Sequence, residues 1–458
     1  MIIDEFLYRI RQQMAFEPTR EQAQAMMTFA RFLACRQDAV MIMRGAAGTG
    51  KTTLASAFVK TMVALKQKVV LMAPTGRAAK VFAKNSGQQA ATIHRSIYRQ
   101  EEMDADGGAF GLNFNKYADT LFFVDEASMI ANEGTGGPFG TGRLLDDLVR
   151  FVSQGRNCRL LLIGDRAQLP PVGEEESPAL STAFMQGYGL QVFDCDLNEV
   201  MRQAEESGIL WNATRLRHLT AYQVHIRFKG FADIVRVSGD ELIESLNTSF
   251  ADVGEDETII VTRSNKRANI YNQGIRAQVL WREEELCSGD RLMVVKNSYK
   301  SDGTFIANGD RCIVERVRNI HTMHGLRFAD LRLRFPDLDD MELQTLAVID
   351  TLTAEAPALT SEQQEQLYAG VLADYADIPQ KRERMKRLRE DKYYSALQVK
   401  FAYAVTCHKA QGGQWAHVYI DQGYLAPDQL NEEYIHWLYT AFTRATEKLF
   451  LVNWPENQ

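Results

Sequence analysis

Apolar residues along this chain occur both in unbroken runs and in alternation, and the two patterns predict different elements. "AVMIMRG" from Ala39, "KVVLMAP" from Lys68, "TLFFVDEAS" from Thr120 and "CRLLLIGD" from Cys158 are continuous and end in Gly, Pro or polar residues. Runs of that kind suit parallel strands buried on both faces, and the stretches between them, such as Thr52–Leu65, have helical spacing. Repeated strand–helix units predict an α/β sheet with ligands at the carboxyl ends of its strands. The pattern returns in "GLQVFDCDL", "ETIIVTRS", "KFAYAVT", "AHVYID" and "KLFLVN", which predicts a second α/β half. Between these, "GDRLMVVKN", "GTFIANGDRCIVERV" and "LRFADLRLRF" alternate and turn at Gly and Asn-Gly, as a small antiparallel barrel does. A helical stretch from Ser361 to Tyr394 follows. The expected division is 1–190 for the first α/β half, 191–287 and 399–458 for the two parts of the second, and 288–398 for an inserted barrel with its helices. Aromatics flank a Gly-Gly turn in the 99–120 segment, which reads as a hairpin inserted in the first half. The Gly-rich 131–142 segment reads as a mobile loop.

Composition adds little to this. A chain of 458 residues with 45% hydrophobic and 24% charged positions has the make-up of an ordinary soluble globular protein of several cores. Its formal net charge of −7 argues against a uniformly basic surface but not against one basic cleft. The six cysteines show no metal or redox spacing and predict free thiols in a reducing compartment. The acidic start "MIIDEFLYRI" is unlike a signal peptide, and no apolar run is long enough to span a membrane, so a cytoplasmic location is expected.

The chemistry begins at "GAAGTGKT", Gly45 to Thr52, which follows a strand and opens a helix. In that context Gly45, Ala46, Ala47, Gly48, Thr49 and Gly50 would wrap a phosphate so that backbone N–H groups and the helix N-terminus face its charge. Lys51 would reach the outer phosphates, Thr52 would bind Mg²⁺ through its hydroxyl, and Thr53 would complete the helix start. The strand "LFFVDEAS" ends in Asp125, a second candidate metal ligand, and Glu126, a candidate base for a water. "LLIGDRAQLPPV" ends the next strand with Asp165 and Gln168, the latter able to touch both a γ-phosphate and a neighbouring domain.

These strings stand in a particular order. "PTREQ", "GAAGTGKT", "APTGRAA", "TIHRSIY", "VDEAS" and "GDRAQLPPV" are followed by "LNEVMRQ", "TCHKAQGGQW" and "YTAFTRATEKL". Taken together they span nearly the whole chain, which resembles a superfamily 1 helicase of the RecD-like, Dda-like and Pif-like group. The resemblance implies two RecA-like P-loop motor domains, a β-hairpin insertion in the first and an SH3-like barrel insertion in the second. It further implies ATP and Mg²⁺ as cofactors, with Gln22 reading the adenine, Arg202 and Arg444 reaching the γ-phosphate from the second domain, and Gln411 and Gly412 turned toward the nucleotide.

For nucleic acid the resemblance implies that Pro74, Thr75, Arg77, Thr92 and His94 on the first domain, and Thr406, His408 and Lys409 on the second, hold single-stranded DNA. The group commonly carries an acidic residue where this chain has Gln414. The hairpin resembles a duplex-splitting pin, with Phe110, Phe114 and Tyr117 as stacking candidates, although packing onto the first domain accounts for each equally well. The basic helix in "QKRERMKRLRE" reads as a solvated face more than a DNA contact. The function expected is an ATP-dependent DNA helicase, moving 5′ to 3′, acting as a monomer at single-strand/duplex junctions, with repair or replication proteins as partners and no membrane contact. Two alternatives stay open: a nucleic-acid-stimulated ATPase that remodels complexes, and a RecD-like subunit of a nuclease assembly.

Overall fold

The computed structural model describes residues 3–100, 110–134, 140–200, 206–219, 224–299, 304–426 and 429–455. In the first lobe the chain forms β1 (Ala39–Gly45), β2 (Lys68–Ala73) and β3 (Ala90–Thr92), then an antiparallel pair β4 (Tyr98–Gln100) and β5 (Phe110–Leu112). It continues through β6 (Thr120–Val124), β7 (Arg159–Gly164) and β8 (Gln191–Leu197). Six of these make a parallel sheet in the order β3-β2-β6-β7-β1-β8. Every residue of β1 is buried because both faces of the sheet are covered. Met41 and Met43 pack with Phe29 and Phe58 of two helices on one face, while Val40 and Ile42 join Leu148 and Phe151 on the other.

The boundary expected at residue 190 is wrong by one strand. Gln191–Leu197 pairs with β1 along its whole length, from Ala39↔Gln191 to Gly45↔Leu197, so it closes the first sheet. β8 is an edge strand, and its outward acids broke the apolar signal. Asp194 and Asp196 turn back onto Arg44 of β1, at 2.6 and 2.7 Å, and burial of that guanidinium needs both of them.

The second lobe is built from β9 (Ile234–Val237) and β10 (Thr258–Thr262) before a long excursion. That excursion contains β11 (Arg291–Val294), a short ribbon of β12 (Ser298–Tyr299) and β13 (Phe305–Ile306), β14 (Arg311–Met323), β15 (Leu326–Phe335), β16 (Met341–Val348) and β17 (Leu397–Phe401). Five of these close a barrel, β11-β14-β15-β16-β17, with the helices Ser361–Asp374 and Lys381–Glu390 between its last two strands. The chain then resumes the second sheet with β18 (Ala404–Thr406), β19 (Trp415–Asp421) and β20 (Ala445–Val452), in the parallel order β18-β10-β19-β20-β9. The fold class expected from the sequence therefore holds. The barrel runs slightly past residue 398, because Phe401 is still paired with Leu292.

One carboxylate fixes the barrel's attachment. Asp290, fully buried, accepts from Arg276 (Nε, 3.0 Å), Arg282 (Nη1, 3.0 Å), the Cys287 N–H (2.7 Å) and the Tyr403 hydroxyl (3.2 Å). Cys287 stands where the chain enters the barrel and Tyr403 where it leaves. Removing the carboxylate would strand two guanidinium groups, one of them buried, at a cost of about 3–5 kcal/mol. Asp290→Ala is therefore expected to lower the urea midpoint of unfolding markedly. An unchanged midpoint would show that the crossing is held by its apolar packing alone.

Candidate nucleotide and nucleic-acid sites

The loop between β1 and the helix Lys51–Ala64 has the backbone its glycines were expected to allow. Gly48 and Gly50 lie in the left-handed region, at φ +77° and +80°. A Cβ on Gly45 would come within 2.8 Å of the Thr49 hydroxyl and 2.9 Å of Lys51 Cγ, so the turn is too tight for any other residue. Lys51 Nζ donates to the Ala46 carbonyl at 2.9 Å and lies 3.8 Å from Asp165. Thr52 is half-buried in the first helical turn, and Thr53 is exposed beside it.

Gln22 does not stand free to read a base. Its Oε1 accepts from the Thr19 N–H at 3.1 Å and its Nε2 donates to the Thr49 carbonyl at 2.9 Å, leaving the residue 1% exposed. Both ends of the amide are thus used, one in a capping box and the other in bracing the phosphate loop. In this arrangement Gln22 braces the loop as a strut.

β6 delivers Asp125 and Glu126 at its carboxyl end. Glu126 is held at φ +52°, a conformation that a non-glycine residue adopts only under constraint, and such strain collects at functional positions. Burial, and then the charge of Glu126, push the Asp125 carboxyl up to about 7, with Lys51 acting in the opposite direction. A divalent cation fits here. The hydroxyl of Thr52 and the carboxylate of Asp125 are hard oxygen donors of the kind Mg²⁺ takes, and a bound cation would favour the charged carboxylate. Gln168 offers a further unspent group, since its Oε1 is buried without a hydrogen-bond partner.

The second lobe meets this loop through the helix Glu432–Phe442. The Tyr439 hydroxyl accepts from the Ala47 N–H at 2.8 Å and donates to Asp165 at 2.6 Å. Thr440 Oγ1 accepts from the Leu169 N–H at 2.7 Å, and Gln411 Nε2 donates to the Leu169 carbonyl at 2.7 Å. Alongside lies a cavity of about 500 Å³, lined by Gly45, Ala46 and Asp165 from the first lobe and by Arg217, His436 and Tyr439 from the second. Tyr439 and Thr440 belong to the quoted "YTAFTRATEKL" string but were not singled out. Their signal is helical adjacency on the face preceding Arg444.

Arg444 itself does not face the phosphate loop. It is 2% exposed and donates to the carbonyls of Thr440 (3.0 Å) and Gly413 (3.1 Å) and to Thr443 Oγ1 (3.1 Å). The helix ends just before it, and a guanidinium at that point satisfies carbonyls the helix leaves open. Arg202 lies outside the described residues. Gly412 lies against the first lobe. At φ +72°, it presses on the first lobe's other motif, where a Cβ would sit 2.8 Å from Thr75 Oγ1 and 3.3 Å from the Ala78 Cβ.

The expected nucleic-acid residues divide into two sets. Thr75, Arg77, His408 and Lys409 line one cavity of about 320 Å³ between the lobes and the barrel, together with Trp415 and Arg311. Arg77 lies over the Trp415 ring at 4.6 Å, donates to the Gln414 carbonyl and pairs with Glu257 at 3.3 Å. Burial lowers the His408 pKa, against the charge of Glu433, and burial with the nearby Lys400 charge brings Lys409 down to about 8.

The other set does not reach that cavity. Thr92 is buried and caps a helical turn by accepting from the Arg95 N–H at 3.3 Å, while Pro74 is half-buried at the end of β2's run. His94 packs near Tyr98 and Phe305, at ring distances of 5.7 and 6.1 Å, and burial lowers its pKa to about 4, which denies it a charge for a phosphate. Thr406 opens on a separate, very small cavity with Lys400. At the hairpin, β4 and β5 form its base, but 101–109 and the side chain of Phe110 lie outside the described residues. Phe114 and Tyr117 are both exposed, and the Tyr117 ring also packs edge-on against the core residue Phe122 at 5.4 Å. Of the 131–142 loop, 135–139 lies outside the described residues, and Thr141 is tied to the buried Asp147 at 3.0 Å. Among the described residues no helix is long and apolar enough to cross a membrane.

Two parallel-sheet lobes thus meet at the P-loop. Residues 17–224 match the family described as an AAA domain, and residues 401–452 match the UvrD-like helicase C-terminal domain. The chain is 26% identical to the ATP-dependent RecD2 DNA helicase of Deinococcus radiodurans over 65% of its own length and 40% of that protein's. It is 24% identical to the ATP-dependent DNA helicase dda of Enterobacteria phage T4 over 57% of its length and 58% of that protein's. It therefore spans well under two thirds of either relative. Bacteroides Pif1 bound to ssDNA aligns with a TM-score of 0.48 at 16% identity, over 97% of this chain and 94% of that one. The Candida albicans Pif1 helicase aligns at 0.45, also at 16% identity, over 96% and 95%. By its two family matches and these curated relatives the chain is similar to superfamily 1 helicases of the RecD-like and Dda-like kind.

The strut role of Gln22 yields a test. Gln22→Ala is expected to weaken binding of adenine and guanine nucleotides alike, by roughly tenfold for one lost buried hydrogen bond and its cap. A loss confined to adenine nucleotides would restore the base-reading role.

Proposed function

We propose that the chain is an ATP-driven DNA motor that moves 5′ to 3′ along one strand and opens the duplex ahead of it. The observation that carries this reading is the position of the Cys407–Trp415 segment. Gln411 grips the Leu169 carbonyl, next to Gln168 and the nucleotide lobe, while Lys409 and Trp415 line the inter-lobe cavity a few residues away. One short piece of backbone thus bears on both sites, and a change at either must be felt at the other.

In this mechanism the P-loop amides and Lys51 bind the outer phosphates, Glu126 takes a proton from the attacking water, and Gln168 orients the group in flight. Mg²⁺ held by Thr52 and Asp125 would neutralise phosphate charge. Tyr439 shifts off the Ala47 N–H as the phosphates take it. Arg444, and Arg202 with it, complete the charge stabilisation only on a closing movement of the second lobe; for Arg444 that means exchanging neutral carbonyls for an anion. The strand runs past Thr75, Arg77, His408 and Lys409, held by its backbone with little base reading. Stimulated ATP hydrolysis without unwinding, or service in a nuclease assembly, would use the same site.

The experiment is unwinding of partial duplexes bearing either a 5′ or a 3′ tail. Opening only from the 5′ tail is expected, and opening only from the 3′ tail would reverse the polarity. Lys51→Ala should abolish turnover, and Glu126→Gln should slow it by about 10²–10⁴-fold while leaving nucleotide bound. Strand-stimulated hydrolysis with no unwinding from either tail would leave the remodelling ATPase as the activity.

A further inference from the structure

The barrel supplies a cation to the same cavity, and among the described residues that cation has no ion-pair partner. Arg311, the first residue of β14, lies 5.6 Å from the Trp415 ring, which also lies under Arg77 at 4.6 Å. Its Nε is shielded from solvent without a hydrogen-bond partner, and among the described residues no carboxylate is within ion-pair distance of its guanidinium. The acids around it are all committed elsewhere. Glu257 pairs with Arg77 at 3.3 Å, Asp256 with Arg291 at 2.9 Å, and Asp337 with Lys80 at 3.7 Å. Asp310, next in sequence, accepts from the Ala307 N–H at 2.7 Å and lies against Gly76.

Burying a guanidinium beside a second one costs free energy unless an anion joins them. Burial together with Arg77 lowers the Arg311 pKa to about 10, the direction expected of a crowded and under-compensated cation. Arg311 lines both the cavity with Thr75, His408 and Lys409 and the smaller neighbouring one with Lys80 and Arg291. A strand following the first cavity would carry its backbone past this guanidinium.

We propose that Arg311 binds a backbone phosphate of the single strand, so that the inserted barrel forms a third wall of the strand path beside the two motor lobes. Both guanidinium groups lie against the Trp415 indole, Arg77 at 4.6 Å and Arg311 at 5.6 Å from its ring. The assignment rests on the reading of the chain as a strand-tracking motor.

The test is equilibrium binding of a single-stranded oligonucleotide to the full chain over a range of salt, for wild type, Arg311→Gln and Arg311→Lys. One phosphate contact accounts for about 0.7 of the slope of log affinity against log salt. Arg311→Gln is expected to lose that much slope and about tenfold in affinity at low salt, while Arg311→Lys keeps the slope. Arg291→Gln, which removes a cation already paired, should leave the slope unchanged. A single neutral methylphosphonate linkage moved along the oligonucleotide should, at one position, weaken wild type but not Arg311→Gln, which separates a strand phosphate from a free anion. Equal slopes for wild type and Arg311→Gln would overturn the proposal. So would a sharp fall in the melting temperature of Arg311→Gln without DNA, since that would make the side chain structural. If wild type itself binds no strand, the motor reading fails and this assignment falls with it.

Discussion

The hydroxyl of Tyr439 is the point on which the two lobes turn. It belongs to the second lobe, yet it accepts from a P-loop amide and donates to Asp165, whose other oxygen accepts from the Ala167 N–H at 3.0 Å. Neutral–charged hydrogen bonds of this kind, buried and short, are costly to leave unmade. The relative position of the lobes is therefore coupled to whatever the phosphate loop is bonded to. A phosphate that takes the Ala47 amide obliges the second lobe to find a new partner. Thr440 and Gln411 grip the Leu169 backbone beside it, and so transmit the same displacement to the Cys407–Trp415 segment.

How much of this could be read from the sequence depended on how local each feature is. The P-loop and the Asp125–Glu126 pair were legible because a strand, a turn and a helix start fix their geometry within a dozen residues, and the glycine conformations follow from that geometry. The alternation of strands and helices, and the switch to alternation with Asn-Gly turns in the barrel, were legible because burial on one face or two imprints different periods. Direction was not legible. Gln22, Gly412 and Arg444 lie in the expected elements, and their contacts to the Thr49 carbonyl, Thr75 and the Gly413 carbonyl could not be read from those elements alone. Which way a side chain turns at a lobe boundary depends on residues hundreds of positions away.

The same reasoning explains the misplaced boundary. β8 reads as a new beginning because Asp194 and Asp196 interrupt its apolar positions, yet those acids are what permit Arg44 to sit inside the first sheet. An edge strand that answers a buried cation on its neighbour carries a mixed pattern by necessity. The polar residues of the 404–415 stretch are of a related kind. Gln411 is buried because its partner, the Leu169 carbonyl, comes from the other lobe, and Thr406 and Lys409 are half-buried, whereas His408 and Gln414 are exposed.

The way Asp290 gathers both crossings of the barrel has a topological consequence. β18 lies directly against β10 in the second sheet, so the chain departs from that sheet and returns to it at neighbouring places. The excursion leaves and re-enters the second sheet at that one carboxylate, while Asp337 on Lys80, Arg291 on Asp256 and Arg311 beside Trp415 hold its flank against both lobes. A change in the barrel's length therefore spares the register of the strands that carry it but is felt at these lateral contacts.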